Sequence, residues 1–133
     1  MTRQQEQQIR LFQIRCSYKI DHNKVILQIL ERKCKTHIEN GEENEKQSLF
    51  YKYLIKFTKT SLIVQIHIHN RNKGEALENL KKLKHLGNLA LDLLMVDKIF
   101  NNNALQNCYS GRLKEDIDVL EKTMESPPSY YWK

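Results

Sequence analysis

The chain has 133 residues, 40% of them hydrophobic and 29% charged, with a net charge of +6 at neutral pH. That length suits one domain with a genuine core and is short for two, and a mean hydropathy of -0.66 marks a very polar surface. The longest apolar run, Leu89 to Val96, is interrupted by Asp92 and falls far short of the ~20 residues needed to span a bilayer, which argues against a membrane role.

Residues 1–8 are mostly polar and glutamine-rich and are expected to form a flexible lead-in. From Ile9 the pattern changes. Phe12, Ile14, Cys16, Tyr18 and Ile20 alternate strictly with Gln13, Arg15, Ser17 and Lys19, the signature of a half-buried strand because successive side chains point to opposite faces. Asp21-His22-Asn23 supplies a turn-prone trio, and a second strand is expected from Lys24 toward Ile38, with Val25, Leu27 and Ile29 on one side. Asn40-Gly41-Glu42-Glu43-Asn44-Glu45 reads as a solvated loop. A third strand over Ser48 to Lys59 sets Leu49, Tyr51, Tyr53, Ile55 and Phe57 against Lys52, Lys56 and Thr58. Leu49, Phe50, Tyr53, Leu54 and Phe57 fit a helical stripe as well, and the richness in Tyr, Ile, Phe and Thr favours the strand. A fourth strand, Ser61 to His69, turns Leu62, Val64, Ile66 and Ile68 inward and Gln65, His67 and His69 outward.

After Asn70-Arg71-Asn72-Lys73-Gly74 the period becomes helical: Leu77, Leu80, Leu83, Leu86, Ala90, Leu91 and Leu94 mark a helix from Glu75 to Phe100. Asn72 is its expected N-cap, with Glu75 three residues on. Gly87 is a point of bending or of close backbone approach, and Asn101-Asn102-Asn103 ends the helix. A last helix, Arg112 to Glu125, aligns Leu113, Ile117, Leu120 and Met124 and stops at Pro127-Pro128. The expected fold is therefore α+β: a four-stranded antiparallel meander with one apolar and one basic face, followed by two C-terminal helices. It comprises a single domain over 9–125 and a Pro/aromatic tail over 126–133.

Charge is unevenly distributed. Residues 1–74 carry 14 Lys/Arg against 7 Asp/Glu, residues 75–100 carry 4 against 4, and residues 101–133 carry 4 against 5. On the strand reading, Arg15, Lys19, Arg32, Lys52, Lys56, His67 and His69 share one open sheet face, a positive platform suited to phosphates or to an acidic protein. Lysine outnumbers arginine 16 to 6, so part of this charge reflects compositional bias. Aromatic residues alternate into the core and leave no stacking surface for bases.

Chemistry finds little foothold. His67-x-His69 and Cys34-x-x-His37 are each half of a metal site, and no second pair of matching form completes them. There is no nucleophile motif, no phosphate-cradling glycine loop and no acid pair in an apolar setting. Neither an enzymatic activity nor a cofactor, metal or small-molecule substrate is expected. Cys16, Cys34 and Cys108, odd in number and widely spaced, fit reduced thiols, and the first residues lack the apolar stretch of a secretory signal. An intracellular location, nuclear or cytoplasmic, follows as the expectation.

Two interaction features stand out. The leucine-rich helix is apolar around much of its girth, with Leu93 and Met95 available to a partner, and the tail gathers Tyr130, Tyr131 and Trp132. Those three either fold onto the domain's own core or anchor in a partner. Pro127-Pro128-Ser129-Tyr130 also fits a P-P-x-Y ligand pattern. The sequence thus reads as a small non-catalytic subunit of a multiprotein assembly. It would dock through helices and tail and offer a basic face to nucleic acid or an acidic partner. The alternative is a stand-alone nucleic-acid-binding module, homodimeric through the long helix.

Overall fold

The computed structural model describes residues 1–39 and 45–133. Four helices run in sequence: α1 (Arg3–Glu39), α2 (Glu45–His69), α3 (Lys73–Met95) and α4 (Asn103–Glu125), followed by a 3-10 turn, Ser129–Tyr131. No strand occurs among the described residues, so the four-stranded meander and both of its faces are overturned. Residues 40–44 of the expected loop lie outside the described residues, and Glu45, its last, is the first residue of α2. Residues 3–8 of the expected lead-in are the first turns of α1.

The physical reason is arithmetic. A helix returns to the same face after three or four residues, and a four-residue step is also an even step. Phe12, Cys16 and Ile20 therefore satisfy both periods. The helical series is the longer one: Ile9, Phe12, Cys16, Ile20, Asn23, Leu27, Leu30 and Cys34 advance by three or four throughout and are buried or half-buried. Ile14 and Tyr18, the other members of the alternation, are exposed. In α2 the buried series is Phe50, Leu54, Phe57, Ser61, Val64 and Ile68, of which the strand alternation caught only Phe57, Val64 and Ile68. Nor do the two turns expected within α1 and α2 offer hairpin chemistry. Both prolines are at 127 and 128, and no glycine interrupts Asp21-His22-Asn23 or Lys59-Thr60.

The second half keeps closer to expectation. Asn72 caps α3, its Oδ1 accepting the Glu75 amide at 3.4 Å. Asn102 begins α4 rather than ending α3, its Oδ1 accepting the amides of Ala104 at 2.9 Å and Leu105 at 3.2 Å. Between them Ile99 and Phe100 turn into the core. Arg71 and Lys98, in the two short connections, adopt left-handed backbone with φ of 64° and 47°.

The helices alternate up and down, and α2 packs on α1, α3 and α4, while α3 also packs on α4. α1 lies antiparallel along α2. Their register is fixed by Gln13 Nε2 donating to the His69 carbonyl (2.9 Å), Asn23 Nδ2 to Gln65 Oε1 (2.8 Å), and a Glu31–Lys59 ion pair (3.5 Å). His37 stacks on Tyr51 with centroids 5.2 Å apart. That end of the bundle is closed by edge-to-face contacts among Phe50, Tyr51, Phe100 and Tyr109. No described helix is long and apolar enough to cross a membrane.

Gly87 is where α3 comes closest to its neighbours. A Cβ there would sit 3.0 Å from Ile117 Cδ1 and 3.2 Å from Phe57 Cε2. The close approach read from the sequence is real, but it is made to helices. Phe57 is wholly buried and cannot yield. Gly87→Ala is thus expected to lower the melting temperature, overpacking at about 1–3 kcal/mol outweighing a helix-propensity gain of about 1 kcal/mol. Gly111→Ala, with nothing within 4 Å, is expected to raise it by that propensity gain alone. Thermal melts followed by far-UV circular dichroism separate the two.

Candidate functional site

The residues expected on one basic face are distributed over the bundle. Arg15, Lys19 and Arg32 belong to α1, Lys52 and Lys56 to the solvent side of α2, and His67 and His69 to the last turn of α2. At about 100° per residue, Lys52 and Lys56 lie roughly opposite Thr58, Ser61 and Gln65, which face the cleft between α1 and α4. Arg15 and Lys19 stand on the wall of that cleft. The two halves of the expected platform are thereby on different sides of the molecule. His67 and His69 lie two residues apart on a helix and so point away from one another. No group of three or more His, Cys, Asp or Glu side chains suited to a metal occurs among the described residues.

The expected partner-binding residues also separate. Leu93 is only 8% exposed and belongs to the core, whereas Met95, the last residue of α3, is 46% exposed. The tail folds onto its own domain. Tyr131 is 1% exposed, packs edge-on against Phe12 with centroids 4.6 Å apart, and donates from its hydroxyl to the Ile68 carbonyl at 2.5 Å. Burial drives that hydroxyl far above the ordinary tyrosine range. Arg71 Nε donates to the Tyr131 carbonyl at 2.6 Å, and Lys73 lies over the Trp132 ring, 5.8 Å from its centroid. Tyr130 hydrogen-bonds Gln8 of α1, so the P-P-x-Y segment rests against the bundle. Removal of residues 130–133 should reduce stability by about 3–5 kcal/mol, the range for losing a large core aromatic. Tyr131→Phe should cost about 1 kcal/mol. Urea titration of both variants checks this, and unchanged midpoints would detach the tail from the core.

Because α1 and α4 each pack on α2, an open groove runs between them. One end, where α1 meets the tail, is a depression of about 430 Å³ bordered by Arg15, Lys19 and Pro127. The other, of about 490 Å³, is bordered by Lys19, Asn23, Ser61, Arg112 and Asp116. Cys16 lines the first of these depressions, and burial raises its thiol pKa, Lys19 partly opposing the rise. Burial likewise raises the Asp116 carboxyl, with Arg112 opposing and Glu115 adding to the effect. The folded state thus holds that proton more tightly than the unfolded chain. The contribution of Asp116 to stability should increase as pH falls from neutral through the carboxylate range. Asp116→Asn should flatten that part of the pH–stability curve, as measured by urea titrations across the acid range.

The feature that the strand reading concealed is the outer face of α1. Leu11, Ile14, Tyr18, Val25 and Ile29 are between 51% and 73% exposed, five of the twelve exposed large apolar residues among those described. They advance by 3, 4, 7 and 4 residues, with His22 filling the long interval. At about 100° per residue they fall within an arc of about 60°, half a turn from the buried series, in a stripe ~27 Å long. Elsewhere the exposed apolar residues are scattered, Met95 and Val96 forming the one adjacent pair among the described residues, which is ordinary. A helix with two apolar faces needs cover on both. The second 3.6-residue period was present in the sequence, and reading residues 9–38 as helix would have exposed it. Comparison of the chain with protein-family models, with curated proteins and with solved structures finds no match in any of the three.

Proposed function

We propose that this protein is a docking subunit, a helical bundle whose α1 presents its outer face to another protein of an assembly. The single observation that carries this reading is the exposed stripe Leu11, Ile14, Tyr18, Val25 and Ile29. Contiguous apolar surface rimmed by polar groups marks an interaction site, and a large aromatic near the middle of such a patch is a favoured anchor. Tyr18 occupies that position. The bundle behind the stripe is held at both ends by aromatic packing, so the face is offered on a rigid support and binding would need little ordering.

The test is site-specific photo-crosslinking in the native source, with the photoreactive residue placed at Ile14, Tyr18 or Val25 and, as a control, at Lys82 on α3. Discrete adducts to one identified protein at the three α1 positions, absent at Lys82, are expected. Adducts equally abundant at Lys82, or none at α1, would sink the reading.

A further inference from the structure

The structure assigns a partner chemistry to this face: an acidic amphipathic helix laid along the outer stripe of α1. This inference rests on the docking reading above and specifies what docks. Two independent observations meet here. The first is the shape of the stripe. Its steps of three and four residues within a narrow arc describe a seam for one helix, and the width is that of coiled-coil packing. A helix lying in a membrane surface needs a broader apolar sector.

The second observation is the state of the flanking charges. α1 carries eight Lys/Arg and four Asp/Glu. Elsewhere in the bundle cations such as Lys46, Lys84, Arg112 and Lys122 are paired with carboxylates. Of the eight Lys/Arg of α1 only Lys35 enters an ion pair among the described residues, with Glu39 at 3.8 Å. Glu31 is taken by Lys59. Seven cations and two carboxylates of α1 are left without one. Arg15 and Lys33 fall on one border of the stripe, with Lys19 farther round toward the groove, and Arg10 and Arg32 fall on the other, where Asp21 is the single carboxylate between them. A second copy of this chain would set this excess against itself, and like charges across a helix pair destabilise it. A phosphate backbone would satisfy the rims while covering an apolar centre that gains nothing from it. An incoming helix with apolar residues at its seam and Asp/Glu on both flanks satisfies seam and rims together.

Two synthetic peptides of about three heptads serve as probes, each with leucine at the seam, one flanked by glutamate and one by lysine. Like-charged flanks discourage either probe from pairing with itself. With the full chain, fluorescence anisotropy should show the glutamate probe binding about tenfold or more tightly than the lysine probe, a gap that narrows at high salt. Tyr18→Asp with Val25→Asp should abolish binding of both probes while the circular dichroism melt is preserved, since both side chains are exposed. Arg15→Glu, Lys19→Glu and Lys33→Glu together should reverse the preference. Equal affinities, or no binding of either peptide, would overturn the assignment. So would anionic phosphatidylserine vesicles or RNA that retain the wild type and release the Tyr18/Val25 variant. A concentration-dependent dimer that this variant abolishes would likewise overturn it. Should α1-specific crosslinks to a partner persist while the two peptides bind alike, the docking face stands and the acidic helix falls.

Discussion

Everything in this fold depends on the burial of α2. Its series Phe50, Leu54, Phe57, Ser61, Val64 and Ile68 is almost wholly shielded, and that shielding takes three neighbours, because no single helix covers so wide an apolar sector. α3 and α4 complete a compact three-helix unit with α2, where Gly87 lets α3 close on Phe57 and on Ile117 of α4. α1 attaches from outside, along α2 alone for most of its length. The arrangement satisfies α2 and leaves two consequences on α1: a groove on the side toward α4, and a whole face with nothing against it.

How far the sequence disclosed this can be argued from particular residues. Asn72, Gly87 and the leucine series of α3 were legible because capping and close approach are local, and because leucines at 3.6-residue spacing satisfy only one period. The first half was misread because apolar residues at both even and odd positions let Phe12, Cys16 and Ile20 serve two patterns at once. Length and punctuation were the arbiters available: a 37-residue stretch without glycine or proline contains no hairpin turn chemistry. The excess of basic residues in the first half is a fact of composition, but the common face expected for them was a consequence of the sheet and vanished with it. Tyr131 illustrates a different limit. Its partners Phe12 and Ile68 are far away in the chain, and only the assembled fold says that a terminal aromatic is core.

The docking reading gains its force from contrast within one molecule. Exposed lysines are cheap and usually mean little, and a solitary exposed leucine means less. On α1 the two run side by side, and the same helix whose Lys/Arg, Lys35 excepted, enter no ion pair among the described residues also leaves its second apolar face exposed. The rest of the bundle neutralises more of its charge internally. Electrostatic rims of this kind contribute mainly to choosing a partner and to the rate of encounter, while the seam supplies the affinity.

The contact between Tyr130 and Gln8 has a consequence for how the molecule can be built into something larger. It brings the beginning and the end of the chain to the same pole of the bundle. Any polypeptide joined before α1 or after the tail would emerge there, beside the α2–α3 turn. The opposite pole, where Phe100 and Tyr109 meet, stays clear of both attachments. Anything fused at either end would therefore leave the long flank of α1 and the far pole uncovered, so a tag or label can be placed at either terminus without touching them.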